Sequence, residues 1–378
     1  MPIIIHTSDV HLGAPLGWLG PRAAEQREEL RRTLSKIVDL VIDQQADALV
    51  VAGDLFHSNN PSTATVRFVL RELSRLTCDS RADVVLLPGG HDSLGAESVY
   101  TSYRTEFGKL DRVTVLGLDG LKNVALEHAA LRIHDCTPRG SDAAEDHDAA
   151  ADPGFTFNVA VMPLGSPHGG LTPDELPVSG TDLGSGGWSY FALGSLGSWH
   201  EVEGGAAPAV YPGSPELVSV EESDQGHVAR VELRSSGATV SKVHVGARSV
   251  VEARVEVSDA SDSFSIAEAV RKQARSNPNA VLKLVLTGLA SAETGVDDWD
   301  LIEELKSDYF FVCPPVRDYQ VRVSDQDLAQ LPEQLVVGRF ARHMRARLEE
   351  AGTPEERREI EDALQLGVAL LQGKDVIG

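Results

Sequence analysis

Three short apolar runs open the chain, and each stops abruptly. Ile3-Ile4-Ile5 leads into Ser8-Asp9-Val10-His11, Ala48-Leu49-Val50-Val51 into Gly53-Asp54-Leu55-Phe56-His57, and Val84-Val85-Leu86-Leu87 into Gly89-Gly90-His91-Asp92. Runs this short, rich in Val and Ile and ended by Gly or Asp, predict buried parallel strands. Between them the apolar period changes. Leu30, Leu34, Ile37, Val38 and Val41 recur at helical spacing while Arg27, Glu28, Arg31 and Arg32 fall on other faces. Val66, Val69, Leu70, Leu73 and Leu76 do the same behind Ser62, a candidate N-cap. Strand, helix, strand, helix, strand predicts a parallel βαβαβ unit with right-handed crossovers.

Further strands are expected at Val113 to Leu116, Val124 to Leu126, Ala130 to Ile133, Phe157 to Met162 and Tyr190 to Leu193. The Asp- and Ala-rich stretch 138–153 reads as a solvated insertion, and the Gly/Pro/Ser-rich stretch 165–187 as a connection. His227 to Leu233 and Thr239 to Val245 alternate with period 2, as an antiparallel pair does. Composition shifts near Gly246 to Ser249. A strand–helix–strand–helix–strand pattern follows at Val251 to Val257, Ile266 to Arg275, Val281 to Leu286, Trp299 to Leu305 and Phe310 to Val312. The remainder is helical: Val336 to Leu348, then Pro354 to Leu371. The predicted division is 1–248, 249–323 and 324–378.

A chain of 378 residues with 42% hydrophobic content has material for two domains and a tail. No apolar run approaches the roughly 20 residues of a membrane span, and Met1-Pro2-Ile3 passes straight into a strand without the features of a signal peptide. Cys78, Cys136 and Cys313 fit no zinc or redox spacing, and so sparse a count suits a reducing cytoplasm. A cytoplasmic location is expected. With Asp+Glu at 57 against Lys+Arg at 34, the formal net charge is −23. Such a surface repels nucleic acid at long range. It weighs against a free-standing nucleic-acid binder, and less against an enzyme whose metals meet the phosphate.

Ligands in open α/β sheets collect at the carboxyl ends of strands. The three opening stretches therefore line up Asp9, His11, Asp54, His91 and Asp92 along one sheet edge. Carboxylate plus imidazole is the donor mix for divalent transition metals. A two-metal phosphoesterase needs a bridging carboxylate, further carboxylate, amide and imidazole donors, and an acid for the leaving oxygen. Asp9 and His11 offer two ligands on one loop, Asp54 is placed to bridge, and His91 is a candidate general acid. A lone Asp or His at a strand end is commonly a cap or turn former. Three such stretches in this order favour a metal site.

These residues resemble the calcineurin-like metallophosphoesterases, in the branch of SbcD-type DNA repair nucleases. The family pattern runs DxH, GDxxH or GDxxD, GNHD, a lone His after a strand, then GHxH. Thr7-Ser8-Asp9-Val10-His11-Leu12-Gly13, Ala52-Gly53-Asp54-Leu55-Phe56-His57 and Val210-Tyr211-Pro212-Gly213-Ser214-Pro215-Glu216 are similar to it. The helical end, with Gly338-Arg339-Phe340 and Ala363-Leu364-Gln365-Leu366-Gly367, resembles bacterial members related to YhaO. The resemblance implies a four-layer αββα sandwich with a small α/β capping domain and a C-terminal helical segment. It also implies manganese-dependent DNA cleavage and an SMC-like ATPase partner of the SbcC/YhaN type, docked on the C-terminal helices.

Four positions depart from the pattern. Gly90 stands for the Asn of GNHD, Pro163 for the lone His, and Ser195 and Gly197 for the two histidines of GHxH. Carried over residue by residue, the first metal keeps Asp9, His11 and Asp54 and loses an imidazole at Gly197. The second keeps only the shared Asp54. His168 and His200 follow the vacated positions; they are replacement ligands or ordinary loop histidines. The expectation is an SbcD-like subunit impaired in catalysis, reaching DNA through its complex and holding at most one divalent metal, manganese or another, or none. The alternatives are an active single-metal or rescued-site phosphodiesterase or exonuclease using Asp9, His11, Asp54 and His91, and a non-catalytic DNA-end binding module. Arg339, Arg342, His343, Arg345 and Arg347 form a basic run among the apolar Val336, Val337, Phe340, Met344 and Leu348. That run serves either partner docking or packing within its own domain. A homodimer through the Leu30 to Val41 helix is also open.

Overall fold

The computed structural model describes residues 1–137, 150–163, 186–257, 262–290, 296–321, 328 and 330–372. The chain divides into two compact units, Met1–Ser249 and Val250–Gly378. The stretches 138–149 and 164–185, which hold His168 and most of the predicted insertion and connection, lie outside the described residues.

The first unit begins β1 (Ile3–Thr7), α1 (Ala23–Asp43), β2 (Ala48–Ala52), α2 (Thr63–Asp79), β3 (Asp83–Leu87). Two one-turn helices, α3 (Val99–Ser102) and α4 (Arg104–Phe107), precede β4 (Val113–Val115). The unit continues with β5 (Asn123–Leu126), β6 (Leu131–Asp135), β7 (Phe157–Pro163), β8 (Tyr190–Gly194), β9 (His200–Val202), β10 (Ala209–Tyr211), β11 (His227–Arg234) and β12 (Gly237–His244). One six-stranded sheet runs β12-β11-β1-β2-β3-β4, the other β5-β6-β7-β8-β10-β9. β1 to β4 are mutually parallel, as are β6, β7, β8 and β10. Antiparallel strands close the flanks: β11 on β1, β12 on β11, β5 on β6, β9 on β10.

Strands covered on both faces carry unbroken apolar runs, which is why β1 to β3 read so plainly in sequence. Alternation then sorts their residues by face. Ile4, Val50, Ala52 and Val85 meet Ile133, Val159, Val161 and Ala192 of the other sheet in one buried cluster, so the sheets pack face to face. α1 and α2 pack side by side, with α2 against β3. Ser62 Oγ caps α2 by accepting from Thr65 N at 3.1 Å. Leu30, Leu34, Ile37, Val38 and Val41 of α1 are all buried in the chain's own core, so the face offered for a homodimer is already covered. On the second sheet, Ala160, Met162, Phe191, Leu193 and Leu196 form a separate apolar cluster. The structure is the expected α/β two-sheet sandwich with helices.

The second unit opens on β13 (Ser249–Glu256) and contains α5 (Ser263–Gln273), β14 (Asn277–Ala290), α6 (Asp298–Leu305), β15 (Tyr309–Val312) and β16 (Val316–Val321). β14 carries β15 and β16 in parallel. It is longer than the expected Val281 to Leu286, because pairing with β15 and then β16 extends it at both ends. Two helices end the described chain, α7 (Val336–Glu350) and α8 (Pro354–Leu371), packed on each other through Val337, Ala341, Met344, Ile360, Leu364 and Val368. Thr353 caps α8, and Pro354 sits at its first turn, where its missing N–H is harmless. Among the described residues no helix is long and apolar enough to cross a membrane.

Candidate metal centre

The loops after β1 and β2 are laced together by backbone hydrogen bonds. Asp9 N donates to Gly53 O (3.2 Å), His11 N to Asp54 O (2.9 Å), Leu12 N to Leu55 O (3.0 Å) and His57 N to Leu12 O (3.0 Å). Gly53 N donates in turn to Leu87 O (2.8 Å), tying in β3. The register holds Asp9, His11 and Asp54 at φ of 52°, 49° and 51°, a left-handed conformation rare outside glycine. Backbone strain of this kind persists where surrounding structure over-determines it, and clusters at functional sites. Ser195, after β8, is also left-handed at φ 77°.

The strained turns converge their side chains. Asp9, His11 and Asp54 each offer a donor atom, all within 4.8 Å of one another, and His11, His57 and His91 do the same. Asp9 Oδ2 accepts from Ser195 N at 3.0 Å, and Asp54 Oδ1 from His91 N at 2.8 Å. Each carboxylate thus gives one oxygen to a backbone N–H and keeps the other for the cleft. Gly89 makes room for this: a Cβ there would lie 2.4 Å from Asp54 Oδ1. His11 Nδ1 and His57 Nδ1 are buried without a hydrogen-bond partner. His91 Nδ1 lies 3.1 Å from His57 O. A carbonyl only accepts, so the proton of neutral His91 sits on Nδ1 and Nε2 carries the lone pair.

Burial, with Asp54 beside it, pushes the Asp9 carboxyl up from its ordinary range. Burial and Asp92 raise Asp54. Burial, then His91 and His57, holds His11 down at about 3, and burial and His91 lower His57. Neutral imidazoles are ready ligands, and two crowded carboxylates that resist ionising are relieved by a cation between them. By donor chemistry and by its orphaned nitrogens, the cluster fits a divalent metal.

Asp92 does not join it. Fully buried, it accepts from Phe56 N (3.0 Å), Gly89 N (2.7 Å) and Tyr100 OH (2.8 Å), and so anchors the loops that carry Asp54 and His91. Asp9, His11, Asp54 and His91 are brought together as the strand-end pattern predicts. His57 closes the group but was not among the predicted ligands, although its place in Gly53-Asp54-Leu55-Phe56-His57 signals it. His200 lies on β9, its ring 6.4 Å from that of Tyr211, outside both donor groups. The vacated positions carry other contents. A Cβ on Gly53 would lie 2.9 Å from Pro163 Cβ and 3.8 Å from Ser195 Oγ, and Gly90 faces open space. Gly197 abuts the carboxylate of Glu222, a residue the sequence did not flag.

Residues 3–161 match the family model of the calcineurin-like phosphoesterases. The DNA double-strand break repair protein Mre11 of Methanopyrus kandleri is 29% identical over 248 residues, 58% of this chain and 50% of that protein. The uncharacterized metallophosphoesterase YhaO of Bacillus subtilis is 23% identical over 248 residues, 59% of this chain and 55% of that one. The SbcD subunit of the nuclease SbcCD of Rhodobacter capsulatus is 35% identical over 91 residues, 24% of this chain and 21% of that one. The chain thus spans about half the length of the first two curated relatives. The strand-end cluster and these matches together mean that the chain carries a calcineurin-like metallophosphoesterase domain, with Mre11, SbcD and YhaO nucleases among its relatives.

Proposed function

We propose that this protein is an SbcD/Mre11-like subunit of a DNA-processing complex. It holds one divalent cation, manganese or a close analogue, on Asp9, His11 and Asp54, and is impaired in two-metal cleavage. The observation that supports this most directly is the asymmetry of the cleft. One side gathers carboxylates and imidazoles within 4.8 Å. The other side presents the Pro163 ring, the Ser195 hydroxyl and open space at Gly90. A second cation needs several donors to offset its dehydration, and these groups supply one weak donor among them.

The bound cation would polarise a phosphoryl oxygen. The chain's own residues do the rest. Asp9 and Asp54 are fixed by the N–H groups of Ser195 and His91, and His57 O holds the His91 ring through Nδ1. Protonated His91 can then present Nε2–H to a leaving oxygen. That geometry favours one alternative, a single-metal phosphodiesterase that uses Asp9, His11, Asp54 and His91.

In this reading residues 249–323 form the capping domain and 324–378 the docking segment for an SMC-like ATPase. Support comes from the name of a relative, which makes it one part of the nuclease SbcCD, and from Leu366, Leu370 and Leu371 on α8, each at least 44% exposed. With a net charge of −23, the chain would meet DNA through that partner. Cytoplasmic work in a reducing compartment accords with three free cysteines.

The test is metal content and nuclease activity of the purified chain in Mn²⁺. One ion per chain, lost in Asp54→Ala, with no two-metal exonuclease activity, is expected. Two ions per chain with DNA cleavage abolished by Asp54→Ala would refute the proposal. One ion with cleavage lost in His91→Asn selects the single-metal hydrolase.

A further inference from the structure

The segment between β10 and β11 brings a carboxylate to the place of a missing side chain. At Gly197 the family pattern has an imidazole for the first cation, and glycine has nothing. A Cβ built there would lie 2.1 Å from Glu222 Oε2 and 2.3 Å from Oε1. The Glu222 carboxylate therefore stands in the volume that a side chain at 197 would fill.

This is not a loose surface contact. Ser214 N donates to Gly197 O (2.9 Å), Gly226 N to Ser214 O (2.8 Å) and Trp199 N to Asp224 O (3.4 Å), so the segment is stitched to the loop after β8. Gln225 braces it from within, accepting from Val218 N (3.0 Å) and donating to Ser219 O (2.6 Å) and Glu222 O (2.8 Å). Glu222 Oε2 is buried and accepts no hydrogen bond. Buried carboxylate oxygens are rarely left so. His11 Nδ1, across the cluster, is orphaned in the same way, and the charge of Glu222 acts on Asp9.

We propose that Glu222 is the fourth protein donor to the first cation, replacing the imidazole that Gly197 lacks, so that the site is Asp9, His11, Asp54 and Glu222. This rests on the one-cation reading above. The carboxylate lies outside the group whose donors fall within 4.8 Å of one another. Rotation about the Glu222 side-chain torsions, each with several staggered wells, moves it inward. Exchanging a neutral imidazole for a carboxylate gives three anionic oxygens and one nitrogen. Such a set shifts preference from zinc toward harder ions of the Mn²⁺ and Mg²⁺ class.

The test measures Mn²⁺ and Zn²⁺ binding to the full chain by equilibrium dialysis with elemental analysis, alongside metal-free melting temperature. Glu222→Gln is expected to weaken Mn²⁺ binding by more than the about 10-fold that loss of an outer-shell partner brings, with the metal-free melting temperature unchanged. Gly197→His alone, colliding with Glu222, should bind no better than Glu222→Gln. Gly197→His with Glu222→Ala should regain affinity and favour Zn²⁺ over Mn²⁺ more than the wild-type chain does. Equal Mn²⁺ affinity in wild type and Glu222→Gln overturns the assignment of Glu222 alone. A wild-type chain that binds no Mn²⁺ overturns the one-cation reading, and this assignment with it.

Discussion

Replacing Glu216 should separate the loss of a charge from the loss of an acceptor. Its carboxylate is fully buried. Oε1 accepts from Gln26 Nε2 (3.2 Å), Leu217 N (3.0 Å) and Arg248 N (3.1 Å); Oε2 accepts from Thr33 Oγ1 (3.0 Å) and Ala247 N (2.7 Å). Glu216→Ala strands three backbone donors, at about 1 kcal/mol or more each, and deletes a buried methylene worth about 0.8 kcal/mol. The expected loss is about 4 kcal/mol, within the range for breaking a buried polar network. Glu216→Gln keeps Oε1 and its three donors. Thr33 can rotate to accept from the new amide, so only Ala247 N–H faces another donor. The retained bonds weaken as the acceptor loses its charge, and the cost should be about 2 kcal/mol. Urea titration yields both differences at unchanged m, and amide exchange should show lost protection at Leu217, Ala247 and Arg248. A Glu216→Ala chain within about 1 kcal/mol of wild type, or a Gln variant as damaged as the Ala variant, would refute this accounting.

Three further predictions follow from other buried contacts. Asp92→Asn turns an amide nitrogen toward Gly89 N–H or Phe56 N–H, so it should cost about 1–3 kcal/mol in denaturant titration and disturb the loops of Asp54 and His91. His6 is buried with its pKa held at about 3 by desolvation. Below its unfolded value near 6.5, the unfolded chain binds a proton that the native chain refuses, so stability falls with pH across that window, by at most about 1.4 kcal/mol per unit. His6→Gln should flatten the slope of unfolding free energy between pH 6 and pH 4 by that amount, and an unchanged slope would remove His6 from the acid sensitivity. Gly194→Ala would place a Cβ 1.6 Å from Ala52 O and 3.0 Å from Ser8 Cβ. The backbone must move, so a loss of at least about 3 kcal/mol is expected, read as melting temperature, with weaker Mn²⁺ binding because Ser8 precedes Asp9 and Ala52 precedes Gly53.

The strand-end half of the site was legible because its signals are local. Ile3-Ile4-Ile5 before Asp9 and His11, and Ala48-Leu49-Val50-Val51 before Asp54, each carry strand and ligand in one window. The covered faces of β1 to β3 leave no polar alternation to blur them. Asp92 was misgrouped for a related reason: a carboxylate at a strand end looks the same whether it faces a cation or three N–H and O–H donors. Only the positions of Phe56, Gly89 and Tyr100 separate the two. Glu222 left no signal at all. Its link to Gly197 exists through space, by way of Ser214, Gly226 and Gln225, and neither residue carries a motif that names the other.

The two-sheet construction has a consequence for how such a protein can change over time. Asp9, His11, Asp54, His57 and His91 all follow strands of one sheet, whereas Pro163, Ser195 and Gly197 end or follow strands of the other. The sheets meet through apolar faces, and the polar residues at their rims are not part of that seam. Substitutions on one rim can therefore accumulate without loosening the seam or the opposite rim. A centre assembled from two separately heritable halves can be retired one half at a time, and the surviving half is free to recruit a donor such as Glu222 from the segment that joins the two sheets.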